Sequence, residues 1–148
     1  MRAVLDVGTN SVRLLLAKVS PGMLKPLRRE TKVTRLGQGV DAAGRLNEAG
    51  IARTLDALAD LAALIPRGVP TSILATSAVR DAQNGQDFAR LVQERIGFPL
   101  EVLSGAQEAQ LSFAGAVFSL QEVALGDPVS VVDIGGGTTD VAIFTGGA

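Results

Sequence analysis

Residues 6–11 read DVGTNS and separate two apolar runs, residues 3–7 and residues 12–19. Both runs are rich in Leu and Val, which strands accommodate well, whereas Gly, Thr, Asn and Ser are common in turns. Two such runs joined by a short turn predict a β-hairpin near the start of the chain. The acidic residue of the stretch, Asp6, stands near the end of the first predicted strand.

A second stretch, residues 133–140 (DIGGGTTD), repeats this design between apolar residues 129–134 and 141–144. In such a turn, backbone N–H groups can hold phosphate oxygens while the Asp carboxylate holds a divalent cation. Ordinary hairpin turns use the same residue types. A triple glycine, however, weakens a sheet unless a close approach requires it. The recurrence therefore favours one phosphate site formed by both turns.

The composition excludes several kinds of catalytic site. The 148 residues include no Cys, His, Trp or Tyr, and 14 Lys and Arg balance 15 Asp and Glu. Without Cys and His there is no disulfide, thiol nucleophile, imidazole base or metal site built from those ligands. The balanced charge and the scarcity of aromatic residues argue against a specific nucleic-acid partner.

The sequence predicts neither a membrane-spanning helix nor a signal peptide. No apolar stretch reaches the roughly 18 residues that a spanning helix needs. The first apolar run is too short and too soon followed by turn residues for a signal peptide. We therefore expect a cytoplasmic protein without a membrane partner.

The rest of the chain alternates between strand and helix patterns. Residues 24–36 predict a third antiparallel strand, and Asn47 predicts the N-cap of a helix that Pro66 ends. The segments that follow are a strand at 71–76, a helix at 86–96, a strand at 100–103, a helix at 105–120 and the final strand-turn-strand. The order βββαβαβα predicts an α/β fold with a mixed sheet. Because a two-stranded hairpin is marginal alone, we assign residues 1–124 to one lobe and residues 125–148 to the opening hairpin of a truncated second lobe.

Helical spacing predicts which side chains of the three helices share an apolar face. In the last helix, Gly115 is also a candidate point of close packing. The predicted apolar positions are Ile51, Leu55, Leu58, Ala62 and Ile65 in the first helix, Phe88, Leu91 and Val92 in the second, and Leu111, Ala114 and Phe118 in the third.

The two turns resemble the phosphate loops of the actin, Hsp70 and sugar-kinase superfamily, which has two ribonuclease-H-like lobes. Three segments resemble one branch of it, the exopolyphosphatase and guanosine pentaphosphate phosphatase (Ppx/GppA) family. They are GTNS at 8–11, TSAVRDA at 76–82 and LSGAQEAQLSFAGA at 103–116. The resemblance runs from about residue 3 to residue 144. It implies the N-terminal ribonuclease-H-like (actin-like ATPase) lobe of a phosphoanhydride hydrolase.

The resemblance also implies roles for individual residues. Glu108 matches the catalytic glutamate, a base that takes a proton from the attacking water. Asp133 matches the acid that orients water and helps to hold Mg²⁺ or another divalent cation, with Asp6 and Asp140 as further metal ligands. The predicted phosphate-binding residues are Thr9, Asn10, Ser11, Arg80, Gly135, Gly136, Gly137 and Thr138. The family often has Glu in place of Asp140 and Ser in place of Thr138, which makes Asp140 the weakest of the metal assignments.

Several of these residues have a simpler structural explanation. Glu108 could stabilise the positive end of its helix, Arg80 could pair with the adjacent Asp81, and the turn acids could be capping residues. The basic residues of the third strand could guide polyphosphate or protect an exposed sheet edge from aggregation, and the second explanation is favoured. Those residues are Arg28, Arg29, Lys32 and Arg35.

The predicted function is hydrolysis of a terminal phosphate from inorganic polyphosphate or guanosine pentaphosphate by a homodimer. Polyphosphate and guanosine pentaphosphate remain equal alternatives at this point. The rival from another class is an ATP-binding assembly or chaperone module that uses the same loops to control lobe closure. A third possibility is a lobe that binds phosphate without catalysis.

Overall fold

A computed structural model describes residues 1–120, 128–136 and 139–144, with residues 41, 140 and 144 described by their backbone alone. The elements are β1 (Arg2–Val7), β2 (Ser11–Ser20), β3 (Met23–Val33), α1 (Val40–Ala43), α2 (Glu48–Ala62), β4 (Thr71–Ala75), α3 (Ser77–Arg80), α4 (Gly85–Ile96), β5 (Leu100–Val102), α5 (Gly105–Ser119), β6 (Val129–Ile134) and β7 (Thr139–Phe144). Every strand and helix that the sequence predicts is present, and α1 and α3 are short additions.

The first five strands form one mixed sheet in the order β3-β2-β1-β4-β5. β1 pairs with β2 in the antiparallel sense and with β4 in the parallel sense, and β4 is parallel to β5. The helices between β3 and β5 supply the crossovers that parallel strands require. The α/β class with a mixed sheet is therefore confirmed.

The core lies between one face of this sheet and helices α2 and α4. Alternate residues of β1 are buried, as the two-residue period of a strand requires. Phe88 and Val92, one turn apart on α4, are completely buried in the same cluster. Burying a side chain of the size of Phe88 stabilises the fold by roughly 1.5–3 kcal/mol.

Helix α2 begins where the sequence predicts, but its buried face is rotated from the predicted one. The Asn47 side chain accepts a hydrogen bond from the Gly50 N–H at 2.7 Å, which confirms the N-cap. Of the predicted apolar positions only Leu58 is fully buried, and the others are partly buried against the core. The start of α2 lies close to the backbone at Leu36, which favours a small residue there. A Cβ at Gly50 would lie 3.3 Å from the Leu36 carbonyl oxygen. The fully buried residues of α2 are Gly50, Thr54, Ala57, Leu58 and Leu61.

The apolar face predicted for α5 is not part of the core. Leu111 is 52% exposed and Phe118 is 37% exposed, and α5 contacts β6 and β7. No described atom lies within 4 Å of a Cβ built at Gly115, so the predicted close packing there is wrong for the described residues. Leu91 of α4 is also 40% exposed. Helical spacing identifies an apolar face, but it does not identify what covers that face.

The last two strands, β6 and β7, form a separate antiparallel hairpin with Asp133 opposite Asp140. The hairpin is confirmed, and its assignment to a second lobe stays a prediction. Among the described helices, none combines the length and the apolar composition needed to cross a membrane.

Candidate functional site

The turn between β1 and β2 is held by hydrogen bonds to its carbonyl groups. The Gly37 N–H donates to the Thr9 carbonyl at 2.9 Å, and the Thr34 and Arg35 N–H groups donate to the Asn10 carbonyl at 2.9 and 3.0 Å. The backbone N–H groups of Thr9 and Asn10 donate to no acceptor among the described residues. The turn is thus fixed through its oxygens while two amide donors stay available for an anion.

Close packing against the Thr9 side chain explains one of the loop glycines. A Cβ at Gly37 would lie 2.3 Å from the Thr9 Cγ2, so this position requires glycine. Arg35, with φ 52°, is in the left-handed region although it is not glycine. The Thr9 hydroxyl is 3.1 Å from the Ser77 hydroxyl, which joins the turn to the start of α3. The predicted first phosphate loop therefore contacts two other segments, residues 34–37 and the start of α3.

The turn after β6 lies directly against the first turn. A Cβ at Gly136 would be 3.0 Å from the Asn10 Cβ and 3.4 Å from the Asn10 nitrogen. A side chain at Gly136 would force Asn10 to shift by a few tenths of an ångström, so this close approach favours glycine. The sequence repeat therefore corresponds to two turns in contact, as expected for a shared phosphate site. The other predicted phosphate residues of this turn, Gly137 and Thr138, lie outside the described residues.

Both turns open into one cavity of about 480 Å³. The cavity brings together the loop residues, the predicted base and two of the predicted metal ligands. Its polar lining residues are Asp6, Thr9, Asn10, Ser11, Arg13, Thr76, Ser77, Glu108, Ser112 and Asp133, and Gly8, Gly135 and Gly136 also line it.

Glu108 reaches this cavity from the first turn of α5. The helix start is already capped: Ser104 and Gln107 form a reciprocal capping box. The Glu108 side chain is 14% exposed, and its Oε2 accepts a hydrogen bond from Arg80 at 2.9 Å. Among the described residues, none donates to its Oε1. The capping box supplies the helix-end contacts, which favours a role for Glu108 in the cavity.

Asp6 lies in the cavity in a position that disfavours its charge. Burial raises the pKa of the Asp6 carboxyl above its usual value, and the negative charges of Glu108 and Asp133 raise that pKa further. The Arg13 guanidinium acts in the opposite direction on the pKa of Asp6. Arg13 faces Asp6 because the two residues are directly paired across β1 and β2.

Asp133 is held by α5. The Ser112 hydroxyl donates to the Asp133 Oδ2, and Ser112 lies four residues after Glu108 on the same face of the helix. Asp140 is opposite Asp133 in the hairpin register, and its side chain lies outside the described residues. One helix therefore positions the predicted base and, through a hydroxyl, the predicted water-orienting acid.

Arg80 occupies a different place from the other predicted phosphate residues. It lines a second cavity of about 380 Å³ together with Leu103, Ser104 and Gln107, and it is not among the residues that line the cavity of the two turns. It donates to the Leu103 carbonyl at 3.0 Å as well as to Glu108, and its Nε is 3.4 Å from the Asp81 carboxylate. The hydrogen bond to Glu108, more than any other contact, raises the pKa of Arg80 above its usual value.

The carboxylates fit one type of Mg²⁺ site. In the part of the chain that the structure describes, no three acidic, His or Cys side chains are arranged to hold a metal ion by themselves. Mg²⁺ is commonly held by one or two carboxylates together with substrate phosphates and water. The charge of Asp133 is near enough to raise the pKa of Asp6, so the pair fits a cation that arrives with its substrate.

Four polar residues that line the cavity were not among the predicted site residues: Arg13, Thr76, Ser77 and Ser112. The hairpin register would have placed Arg13 opposite Asp6, and a spacing of four residues would have placed Ser112 beside Glu108. Ser77 is within the TSAVRDA segment, but no local pattern predicts that its hydroxyl meets Thr9. That contact depends on how the parallel strands β1 and β4 align.

Comparison with known proteins assigns the chain to a family. Residues 15–147 match the model of the Ppx/GppA phosphatase family. The chain is 44% identical over 152 residues to exopolyphosphatase 2 of Mycobacterium tuberculosis, and the match covers 95% of the chain and 47% of that protein.

Solved structures agree with this assignment. The Ppx/GppA family member of Aquifex aeolicus matches at TM-score 0.82 and 33% identity, over 97% of this chain and 47% of that one. An exopolyphosphatase from Cytophaga hutchinsonii matches at TM-score 0.86 and 30% identity, over 97% of this chain and 46% of that one. The chain thus spans about half the length of these relatives. On the family match, the sequence identity and the shared fold, the chain belongs to the Ppx/GppA phosphatase family.

Proposed function

We propose that this chain provides the phosphate-binding and base-bearing half of a phosphoanhydride hydrolase that releases the terminal phosphate of inorganic polyphosphate. The family membership supports a phosphatase, and the relatives named as exopolyphosphatases support polyphosphate as the substrate. The proposal concerns the whole protein, because the chain spans only about half of its relatives.

The proposal rests on the cavity that the two glycine turns share with Glu108. The turns are in contact at Asn10 and Gly136, and they border the same cavity as the Glu108 carboxylate. The Thr9 and Asn10 amides, which donate to no described residue, suit the oxygens of a terminal phosphate. The Glu108 carboxylate, whose Oε1 accepts from no described residue, suits a base for an attacking water.

The chemistry requires few kinds of residue. Water attacks the terminal phosphorus, the bridging P–O bond breaks, and the shortened polyphosphate leaves with the bond electrons. Glu108 accepts the proton of the attacking water through Oε1, and the amides of Thr9 and Asn10 bind the charge on the phosphate oxygens. Such catalysis depends on positioning and electrostatics, so the absence of His and Cys is no obstacle.

Asp6 and Asp133 would hold Mg²⁺ together with the phosphate oxygens. When bound, the cation neutralises charge on the phosphoanhydride. The raised pKa of Asp6 supports this role, because a cation would relieve the repulsion among the cavity carboxylates. Asp140 remains the third candidate ligand.

Guanosine pentaphosphate offers the same terminal phosphoanhydride, so it belongs to the proposal as a second substrate. The homodimer and the cytoplasmic location stay predictions.

The test is the variant Glu108→Gln in the longest natural polypeptide that contains this chain. With polyphosphate and Mg²⁺, we expect phosphate release to fall by about 10²- to 10⁴-fold, because a general base contributes on that order. Polyphosphate binding should persist, since the amides are unchanged. The control is Glu101→Gln, which removes an exposed carboxylate on β5.

Release that is insensitive to Glu108→Gln would contradict the assignment of the base. ATP-dependent polymerisation without phosphate release from polyphosphate would instead support the assembly module.

A further inference from the structure

We propose that Arg80 is a positioning residue for Glu108 and not a ligand of the substrate phosphate. The inference rests on the proposed function, in which Glu108 is the base. It changes the role expected for the arginine of the TSAVRDA segment.

The Arg80 guanidinium contacts three protein oxygens. Its Nη1 donates both to the Glu108 Oε2 at 2.9 Å and to the Leu103 carbonyl at 3.0 Å, and its Nε lies 3.4 Å from the Asp81 Oδ1. The three acceptors come from the first turn of α5, the segment before α5 and the end of α3. The guanidinium therefore links the Glu108 carboxylate to the segment before α5 and to the end of α3.

The Arg80–Glu108 pair is more buried than the other ion pairs between described residues. The Arg80 and Glu108 side chains are 26% and 14% exposed. In every other pair at least one partner is more than 40% exposed. A half-buried charged hydrogen bond is stronger and more fixed than one on the surface. This pair can therefore hold a side chain in one orientation, which a surface pair cannot do.

Arg80 and Glu108 line different cavities. Glu108 borders the cavity of the two turns, whereas Arg80 borders the second cavity. Because Arg80 binds Oε2, the second carboxylate oxygen is left for the water. An arginine that binds substrate phosphate needs its donors in the phosphate cavity, whereas the Arg80 Nη1 and Nε are directed to protein oxygens.

The test combines catalysis and binding in variants of the longest polypeptide that contains the chain. For Arg80→Gln we expect kcat on polyphosphate to fall on the order of 10- to 100-fold, since a misplaced catalytic group costs about that much. KM should stay within about twofold, because phosphate binding is not affected. The matched control is Arg90→Gln, which removes an exposed arginine of α4 that pairs with Asp87.

A double-mutant cycle separates positioning from direct binding. In the Glu108→Gln background, Arg80→Gln should lower kcat no further, because a residue that acts through Glu108 has nothing left to position. An additional loss of the same size would overturn the inference. So would a large rise in KM for Arg80→Gln with kcat unchanged.

Circular dichroism shows whether the Arg80→Gln variant folds. Arg80→Lys is a second variant that keeps the positive charge and disturbs the fold less. Lysine binds phosphate as a point charge but cannot reproduce the fixed guanidinium contacts. We expect Arg80→Lys to lose kcat and keep polyphosphate affinity; full kcat in this variant would contradict positioning. If Glu108→Gln alone keeps full turnover, the proposed function fails, and that failure is visible without any Arg80 variant.

Discussion

At Asp6 the folded chain disfavours the charged carboxylate that the proposed cation site needs. Burial is the main cause of the raised pKa, and the charges of Glu108 and Asp133 add to it. Functional sites commonly contain groups that reduce the stability of the fold. Asp6 is therefore the residue at which a conflict between binding and stability can be measured.

We expect Asp6→Asn to increase the free energy of unfolding at pH 7. Because the folded-state pKa of Asp6 is raised above its ordinary 3.8, the folded chain binds the proton more tightly than the unfolded chain. The free energy of unfolding therefore falls as the pH rises from about 3.8 through the folded-state pKa. Asn cannot ionise, so the variant loses this dependence and is similar to the natural chain below pH 3.8.

Denaturant unfolding of the chain at pH 3.5 and pH 7 without added metal measures this effect. Glu101→Gln, at an exposed position of β5, should change neither value appreciably. An Asp6→Asn variant that is less stable at pH 7 than the natural chain would contradict the sign of the effect.

At the scale of elements, α5 connects the two parts of the site. It carries Glu108 in its first turn, and one turn later Ser112 donates to Asp133 of β6. The hairpin has no strand partner in the five-stranded sheet. Its position relative to the base therefore depends on contacts with α5 and with the first turn.

We expect Ser112→Ala to increase local opening of the β6–β7 hairpin and to leave the five-stranded sheet unchanged. An exposed hydrogen bond contributes only about 0.5–1.5 kcal/mol, so amide exchange should accelerate about 2- to 13-fold in β6 and little in β1. Ser112→Thr keeps the hydroxyl and should restore protection. Ser119→Ala is the control, because the Ser119 hydroxyl donates to Gly115 within α5 itself. Equal protection of β6 in the alanine and natural chains would exclude this coupling.

At the scale of the whole molecule, the sheet has a charged edge. β3 is the outer strand, and its residues are mostly exposed. Arg28 pairs with Glu30, and Lys32 pairs with Asp60 of α2. Charged residues on an outer strand oppose pairing with another chain, and this arrangement favours edge protection over a track for polyphosphate.

We expect the double variant Arg28→Gln, Arg29→Gln to self-associate more readily while its affinity for polyphosphate is unchanged within about twofold. Light scattering measures association, and calorimetric titration with polyphosphate measures affinity. The double variant Arg90→Gln, Arg95→Gln removes the same charge from α4 and should not increase association. A large loss of affinity confined to the β3 variant would favour the polyphosphate track.

The order of elements and several residues that line the cavity could be predicted from the sequence, but the geometry of contacts could not. Asn47 as a helix N-cap and the two glycine turns depend on local chemistry, so the sequence predicts them well. The buried face of α2 differs from the predicted one, in part because close approach to the Leu36 carbonyl favours glycine at Gly50. That preference depends on a neighbour far away in the chain.

The elements, the two similar glycine turns and the resemblance to the family could be predicted from the sequence, because each depends on local residue types and their spacing. The contact between Arg80 and Glu108, the hydrogen bond from Ser112 to Asp133 and the position of the α5 apolar face outside the core are known only from the folded chain. Direction and burial are set by packing between elements distant in sequence, and a local pattern contains no information about the neighbour.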